Sequence, residues 1–286
     1  MPSSSPAVER VKPLLGTLVS VRAAGADAER LQDAVDAAFD EIALIHRLMS
    51  FHQPDSEVSL LNRAAHRAPV TVHPHTAAVL RLACEMSAES DGAFDVTVAP
   101  ELARRGLLPE PDAAEMPDAA VDWRDILLDG ETASFRRPLW IDLGGIAKGY
   151  AVDRAIESLR RNGVEQGCVN AGGDLRLFGP EPEWVALRTD LQEDGDQPAI
   201  LLREGSLAGS GGPSSRRGPH VDPRRRQRVG SARFACVAAE SCAVADALTK
   251  VVLAAGRRAE PTLRRFSAEA HFYDRRWGWR HLGGSA

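Results

Sequence analysis

The run Ile141-Asp142-Leu143-Gly144-Gly145-Ile146-Ala147-Lys148-Gly149-Tyr150-Ala151-Val152-Asp153 gathers three glycines, two carboxylates and a lysine in a short span. Trp140 to Leu143 reads as the end of a buried strand. Tyr150 to Arg161 spaces Ala151, Ala155 and Leu159 along one helical face and closes at Asn162-Gly163. The glycines therefore fall at a strand-to-helix junction. There, glycine lets main-chain N–H groups approach a phosphate, the helix start adds partial positive charge, and Lys148 supplies a full one. Tight packing explains such glycines equally well, and neither GxGxxG nor GxxxxGK[ST] is present.

Composition narrows the classes. A chain of 286 residues, 44% hydrophobic and 26% charged, can bury a full core. The expected organisation is a disordered N-terminus over residues 1–12 and a single domain over 13–286, of one or two lobes. A net charge of -5 argues against a global nucleic-acid or membrane-surface role, and no apolar run is long enough to cross a bilayer. The four cysteines have no CxxC spacing and lie mostly in apolar runs, so buried thiols are expected.

Outward from the central run, Leu14 to Arg22 reads as a strand. The stripe Leu31, Val35, Ala38, Ile42, Ile45 and Met49 reads as a helix with one buried face over Asp27 to Met49. A second helix is expected over about Thr76 to Ser87, and a strand or extended loop after the Asp91-Gly92 turn. Arg104 to Asp122 has no period and reads as a surface excursion. A hairpin is expected around Asp129-Gly130-Glu131. Further strands are expected over Trp184 to Arg188 and Ala199 to Arg203 with a polar turn at 193–196, and over Arg233 to Ala238, before a helix over Ser241 to Ala255 stopped by Gly256. The class is α+β with mixed sheets and packed helices. From the residues alone Leu15 reads equally well as an ordinary core leucine, Phe51 reads as core, and His46 and His52 read as surface or capping residues.

Read together, the motifs resemble the FAD:protein FMN transferase (ApbE) family over about Leu14 to Gly256. The resemblance rests on DLGGIAKGYAVD (142–153), the Met49-Ser50-Phe51-His52 segment followed by Ser56 to Asn62, DGAFDVTVAP (91–100), VNAGGDLRLFG (169–179), His220 to Pro223, and ADALT (245–249). Gly172-Gly173 is read as a structural corner, and Asp174 is not placed in the site. The chain departs from the family's pattern where glycine replaces the threonine of a T-S-G turn near Ser210, where the His220 to Asp222 spacing is one residue short, and where Lys250 stands at the position of a threonine.

The resemblance implies transfer of FMN from FAD to a Ser or Thr hydroxyl of an acceptor flavoprotein, with release of AMP and dependence on magnesium. It implies flavin-nucleotide contacts by Leu15, Phe51, Ala93, Phe94, Asp95, Asp142, Lys148 and Val221, and a magnesium shell of the Gly145 carbonyl, Asp246 and Thr249. His220 is then the general base, with Asp222 as its catalytic companion. An FAD pyrophosphatase using water, and a non-catalytic flavin-binding module, are the alternatives. Many family members resemble exported lipoproteins, whereas MPSSSPAVERVKPLLG has neither an apolar leader core nor a lipidation cysteine, so a cytoplasmic protein is expected.

Overall fold

A computed structural model describes residues 6–112, 115–117, 120–189, 191, 197–211, 220–230 and 232–283. The chain begins with strands β1 (Ala7–Leu14) and β2 (Thr17–Ala24), then helix α1 (Ala28–Met49), α2 (Glu57–Ala64), β3 (Val70–Thr71), α3 (Pro74–Glu89) and α4 (Ala99–Arg104). The hairpin β4 (Ile126–Asp129) and β5 (Thr132–Phe135) precedes α5 (Ala147–Arg161), β6 (Gln166–Ala171), β7 (Asp174–Phe178), β8 (Glu183–Ala186) and β9 (Ala199–Leu202). Strands β10 (Gly205–Gly211), β11 (Val221–Asp222), β12 (Gln227–Arg228) and β13 (Arg233–Ala239) lead to α6 (Cys242–Ala255), α7 (Glu260–Arg265), β14 (Glu269–Asp274) and β15 (Gly278–Leu282).

The main sheet has eight strands in the order β1-β2-β6-β7-β10-β13-β14-β15. Every described pairing is antiparallel, so the α+β class holds while the expected mixed sheets do not. Helices α1, α5 and α6 lie side by side on one face, over β1-β2, β6-β7 and β10-β13 respectively. The other face carries Leu175, Leu177, Leu207 and Cys236, which the β8-β9 hairpin covers with Leu202. Because side chains alternate along a strand, β10 turns Leu207 outward to that cluster and Ser206, Ala208 and Ser210 inward to the helices.

Local chemistry explains the elements. Helix α1 starts where Asp27 accepts N–H bonds from Glu29 and Arg30, and it buries the expected stripe. Helix α6 is buried nearly all round because it lies between the sheet and its neighbouring helices. All four cysteines are free: Cys236 and Cys242 are buried, whereas Cys84 and Cys168 are half-buried. Burial pushes the Cys84 thiol up to about 11 and Cys236 to about 12, which suits packing rather than reactivity.

Four expectations change. Residues 7–12 belong to β1 and are not disordered. Leu15 and Gly16, both at positive φ, form the two-residue turn of the β1-β2 hairpin, so Leu15 stands at the tip and not in a strand. Val96 to Val98 is a single 3-10 turn leading into α4, so the loop reading of 91–100 holds and the strand reading does not. Trp140, Ile141 and Leu143 are buried, but the segment joins no sheet. The turn expected at 193–196 lies outside the described residues. Residues beyond Gly256, for which no element was expected, supply the last two strands of the main sheet.

Candidate active site

The central run is held by an asparagine rather than by a strand partner. Asn62 on α2 accepts the N–H of Ile141 at 2.8 Å and donates to its carbonyl at 3.1 Å, while Asp142 N–H donates to Val96 O at 2.8 Å. These bonds satisfy the main chain as a ladder would, and they fix Asp142 facing outward. Helix α5 then begins at Ala147, three residues before Tyr150, so Lys148 sits in its first turn. Of the three glycine N–H groups expected to cradle a phosphate, Gly144 donates to Asp142 Oδ1 at 3.0 Å and Gly149 to Asp246 Oδ2 at 3.2 Å. The cradle reading is thereby confined to Gly145.

Gly149 has a packing role as well. A Cβ built on it would lie 2.2 Å from the Cys242 carbonyl oxygen, so only glycine lets α5 approach the start of α6 this closely. One turn on, Asp153 accepts Ser241 Oγ at 2.8 Å, Cys242 N–H at 3.0 Å and Ala243 N–H at 2.9 Å. The motif thus positions α6, and with it Asp246, Thr249 and Lys250.

Two cavities meet at Asp142 and Gly144. One, of about 250 Å³, is lined by Ala93, Phe94, Asp95, Gly145, His220, Val221 and Lys250. The other, of about 510 Å³, is lined by Leu15, His46, Met49, Phe51, His52 and Lys148. Asp142, Gly144 and Leu108 belong to both walls. Phe51 and the Ala93 to Asp95 loop, expected together at the flavin, therefore line different chambers. His46 and His52, read as surface residues, line the second. The Asp95 carboxylate accepts N–H bonds from Thr97 at 2.8 Å and Trp123 at 3.3 Å, which holds the loop, and burial raises its pKa.

Charge is concentrated where the chambers join. Lys148 forms an ion pair with buried Asp174 and lies 3.5 Å from Asp246 Oδ2, and Lys250 is paired with Asp246 Oδ1. Burial alone would raise Asp246, but the two ammonium groups outweigh it and hold the carboxyl below the usual range. Burial tends to lower Lys148, yet Asp246 and Asp174 keep it raised and charged. Asp174, raised by burial and by Asp246, keeps one carboxylate oxygen without a partner. Sequence reading set Asp174 aside as a corner. The Gly172-Gly173 hairpin turn delivers it to Lys148 because β6 and β7 pair directly over α5.

His220 is half-buried in the first chamber, and its pKa is lowered to about 3 by burial and then by the Lys250 charge. It is neutral at neutral pH and able to accept a proton. Asp222 does not serve it: its carboxylate accepts Arg224 N–H at 3.1 Å and Arg224 Nε at 3.3 Å, and lies outside both cavity walls. The short spacing folds 221–228 into the small β11-β12 hairpin, which turns Asp222 toward its own loop.

The residues expected to hold magnesium gather near Lys250, but the side-chain oxygens of Asp246 and Thr249 are committed. Asp246 Oδ1 faces the ammonium and Oδ2 takes Gly149 N–H. Thr249 Oγ1 donates to the Asp246 carbonyl at 2.6 Å and lies 2.8 Å from Ser210 Oγ, which in turn accepts Lys250 Nζ at 3.0 Å. Among the described residues no group of three His, Cys, Asp or Glu side chains is placed to hold a metal. The donor set fits an ammonium and does not fit a divalent ion that requires several free oxygens around it.

The fold is antiparallel α+β, and its cleft has two chambers with Lys250 in the wall of one and Lys148 in the wall of the other. The sequence pattern of the ApbE family matches residues 15–272, and the chain belongs to that family. A FAD:protein FMN transferase of Vibrio cholerae is 30% identical over 195 residues, covering 64% of this chain and 58% of that protein. One from Rhodobacter capsulatus is 27% identical over 280 residues, covering 91% and 53%. The chain thus spans little more than half the length of these curated relatives. The structure of the flavin transferase ApbE from Vibrio cholerae superposes with a TM-score of 0.84 at 25% identity, covering 97% of each chain. The ApbE protein of Thermotoga maritima superposes at 0.86 with 23% identity, again over 97% of each, a likeness of fold.

Proposed function

We propose that this chain transfers FMN from FAD to a Ser or Thr hydroxyl of an acceptor flavoprotein and releases AMP. The observation that carries the reading is the pair of chambers sharing Asp142 and Gly144, with Lys250 on one side and Lys148 on the other. A ligand with two flat ring systems joined by a pyrophosphate matches that arrangement, and relatives named FAD:protein FMN transferase point to FAD. His220 lies with Phe94 and Val221, so the half whose phosphorus is attacked, FMN, belongs in that chamber. The adenosine half then lies against Leu15 and Phe51.

Neutral His220 accepts the hydroxyl proton as the acceptor oxygen bonds to the FMN phosphorus. The P–O bond to the bridging oxygen breaks, and AMP leaves with the electron pair. Lys148 and Lys250 neutralise the phosphate oxygens, and the apolar walls exclude water from the reacting centre. No step is assigned to magnesium, because the Asp246 and Thr249 oxygens expected to hold it are engaged by Lys250, Gly149 and Ser210.

The test is incubation with FAD and an acceptor flavoprotein domain, followed by mass measurement of the acceptor and chromatography of the nucleotides. A flavin adduct with equimolar AMP supports the transferase. FMN and AMP with an unmodified acceptor indicate the pyrophosphatase, and intact FAD indicates a binding module.

A further inference from the structure

We propose that the Lys250 ammonium is the resident cation of this site, held in the place of a divalent metal ion, so that the chain acts on its pyrophosphate substrate without one. The inference rests on the FAD reading for its catalytic half and on geometry alone for its binding half. Lys250 Nζ bonds to Asp246 Oδ1 and donates to Ser210 Oγ at 3.0 Å. The Ser210 proton is then free for Thr249 Oγ1 at 2.8 Å, whose own proton goes to the Asp246 carbonyl at 2.6 Å. The chain of bonds runs one way and uses each hydroxyl once as donor and once as acceptor. An ammonium completes it, because it brings only donors; a metal ion needs lone pairs and would leave Ser210 to be reoriented.

Two further observations support a built site. The Lys250 stem packs against Gly145, with Cε 3.6 Å from where a Cβ of Gly145 would lie, so the lysine is seated beside the residue expected to give the third ligand. Asp246 is fully buried, and such a carboxylate requires a permanent partner. Its other oxygen, Oδ2, accepts the Gly149 N–H at 3.2 Å and lies 3.5 Å from Lys148 Nζ. A lysine four residues along the helix supplies that partner within the same element.

The experiment titrates Mn2+ into the protein with FAD bound, read by electron paramagnetic resonance, for the wild type, Lys250→Thr and Lys250→Met. FAD cleavage is followed in parallel with a chelator and with added Mg2+. The wild type is expected to show no Mn2+ site beyond that of free FAD, and its cleavage to be unchanged by chelator. Lys250→Thr offers a hydroxyl one turn from Asp246 and is expected to bind Mn2+ at least ~10-fold tighter and to cleave FAD only with metal. Lys250→Met, which keeps the stem and loses the charge, is expected to lose cleavage under chelation. A wild-type protein that binds Mn2+ as tightly as Lys250→Thr, or that stops cleaving FAD under chelator, overturns the proposal. Should the wild type cleave no FAD under any condition, the flavin reading fails, and the Mn2+ titration still decides whether Lys250 excludes the ion.

Discussion

Asp153 Oδ1 accepts the N–H of Cys242 at 3.0 Å, so the last residue of the glycine-rich run closes the N-terminus of the helix that carries Asp246. The same carboxylate holds Arg176 Nη1 at 2.6 Å, tying β7 to both helices. Asp153→Ala leaves a half-buried guanidinium and two helix-end N–H groups without their partner. It is expected to lose about 3 kcal/mol of stability. Asp153→Asn, which keeps an acceptor, is expected to lose less. Urea denaturation reads both, and equal midpoints for wild type and Asp153→Ala would remove the capping role.

Gly149→Ala forces a methyl group to within 2.2 Å of a main-chain oxygen, which cannot swing aside as a side chain can. The two helices must part, at a cost of about 3 kcal/mol. Asp246 then loses the Gly149 N–H. The expected outcome is a lowered melting temperature with FAD turnover reduced further than stability accounts for, checked by calorimetry and assay at a temperature where the variant is folded.

Asn62→Ala removes both bonds to Ile141 and leaves its N–H and carbonyl buried and unpaired, costing about 3 kcal/mol. Asn62→Asp keeps the acceptor for the N–H but offers no donor to the carbonyl, and is expected to be destabilised as well. Because Asp142 follows directly, both variants should bind FAD more weakly. Thermal shift with and without FAD separates the two effects, and an FAD affinity equal to wild type would detach Asn62 from the site.

His220 gives a pH prediction. Its folded pKa, lowered to about 3, lies below the ordinary histidine value of 6.5, so between the two the unfolded chain binds the additional proton. The contribution of His220 to stability is present above about pH 6.5 and is lost as pH falls from there toward 3. His220→Gln should weaken this acid loss while abolishing FMN transfer. The transfer rate of the wild type should show no acid limb from His220 between pH 5 and pH 8, and a limb near 6.5 that vanishes in the variant would contradict its buried, neutral state.

Phe51→Ala tests the division of the chambers. If the adenosine half lies against Phe51, this change weakens FAD binding ~10-fold or more and leaves FMN binding near wild type. Calorimetry with the two ligands decides, and equal losses for both would place the flavin at Phe51.

Sequence by itself determined the elements whose signal is local. The α1 stripe, the helix starts near Asp27 and Ser241, the turn at Asp129-Gly130 and the stop at Gly256 are all set by neighbouring residues, and they appear within a few positions of expectation. It also singled out most of the cavity-lining residues, because their motifs are contiguous. What only the tertiary structure decided depends on residues distant in the chain. Asn62 replaces a strand partner for Ile141 across 79 positions, and Asp174 reaches Lys148 only because β7 pairs over α5. Asp222 was misplaced because a histidine and an aspartate two residues apart carry no sign of which way a short hairpin turns them. The pairing of Lys250 with Asp246 was foreseeable from a spacing of four on a helix. That Ser210 and Thr249 complete a bond chain suited to an ammonium required β10 to pack on α6. Side-chain periodicity reports which face is buried; it holds no information about which buried polar groups will meet.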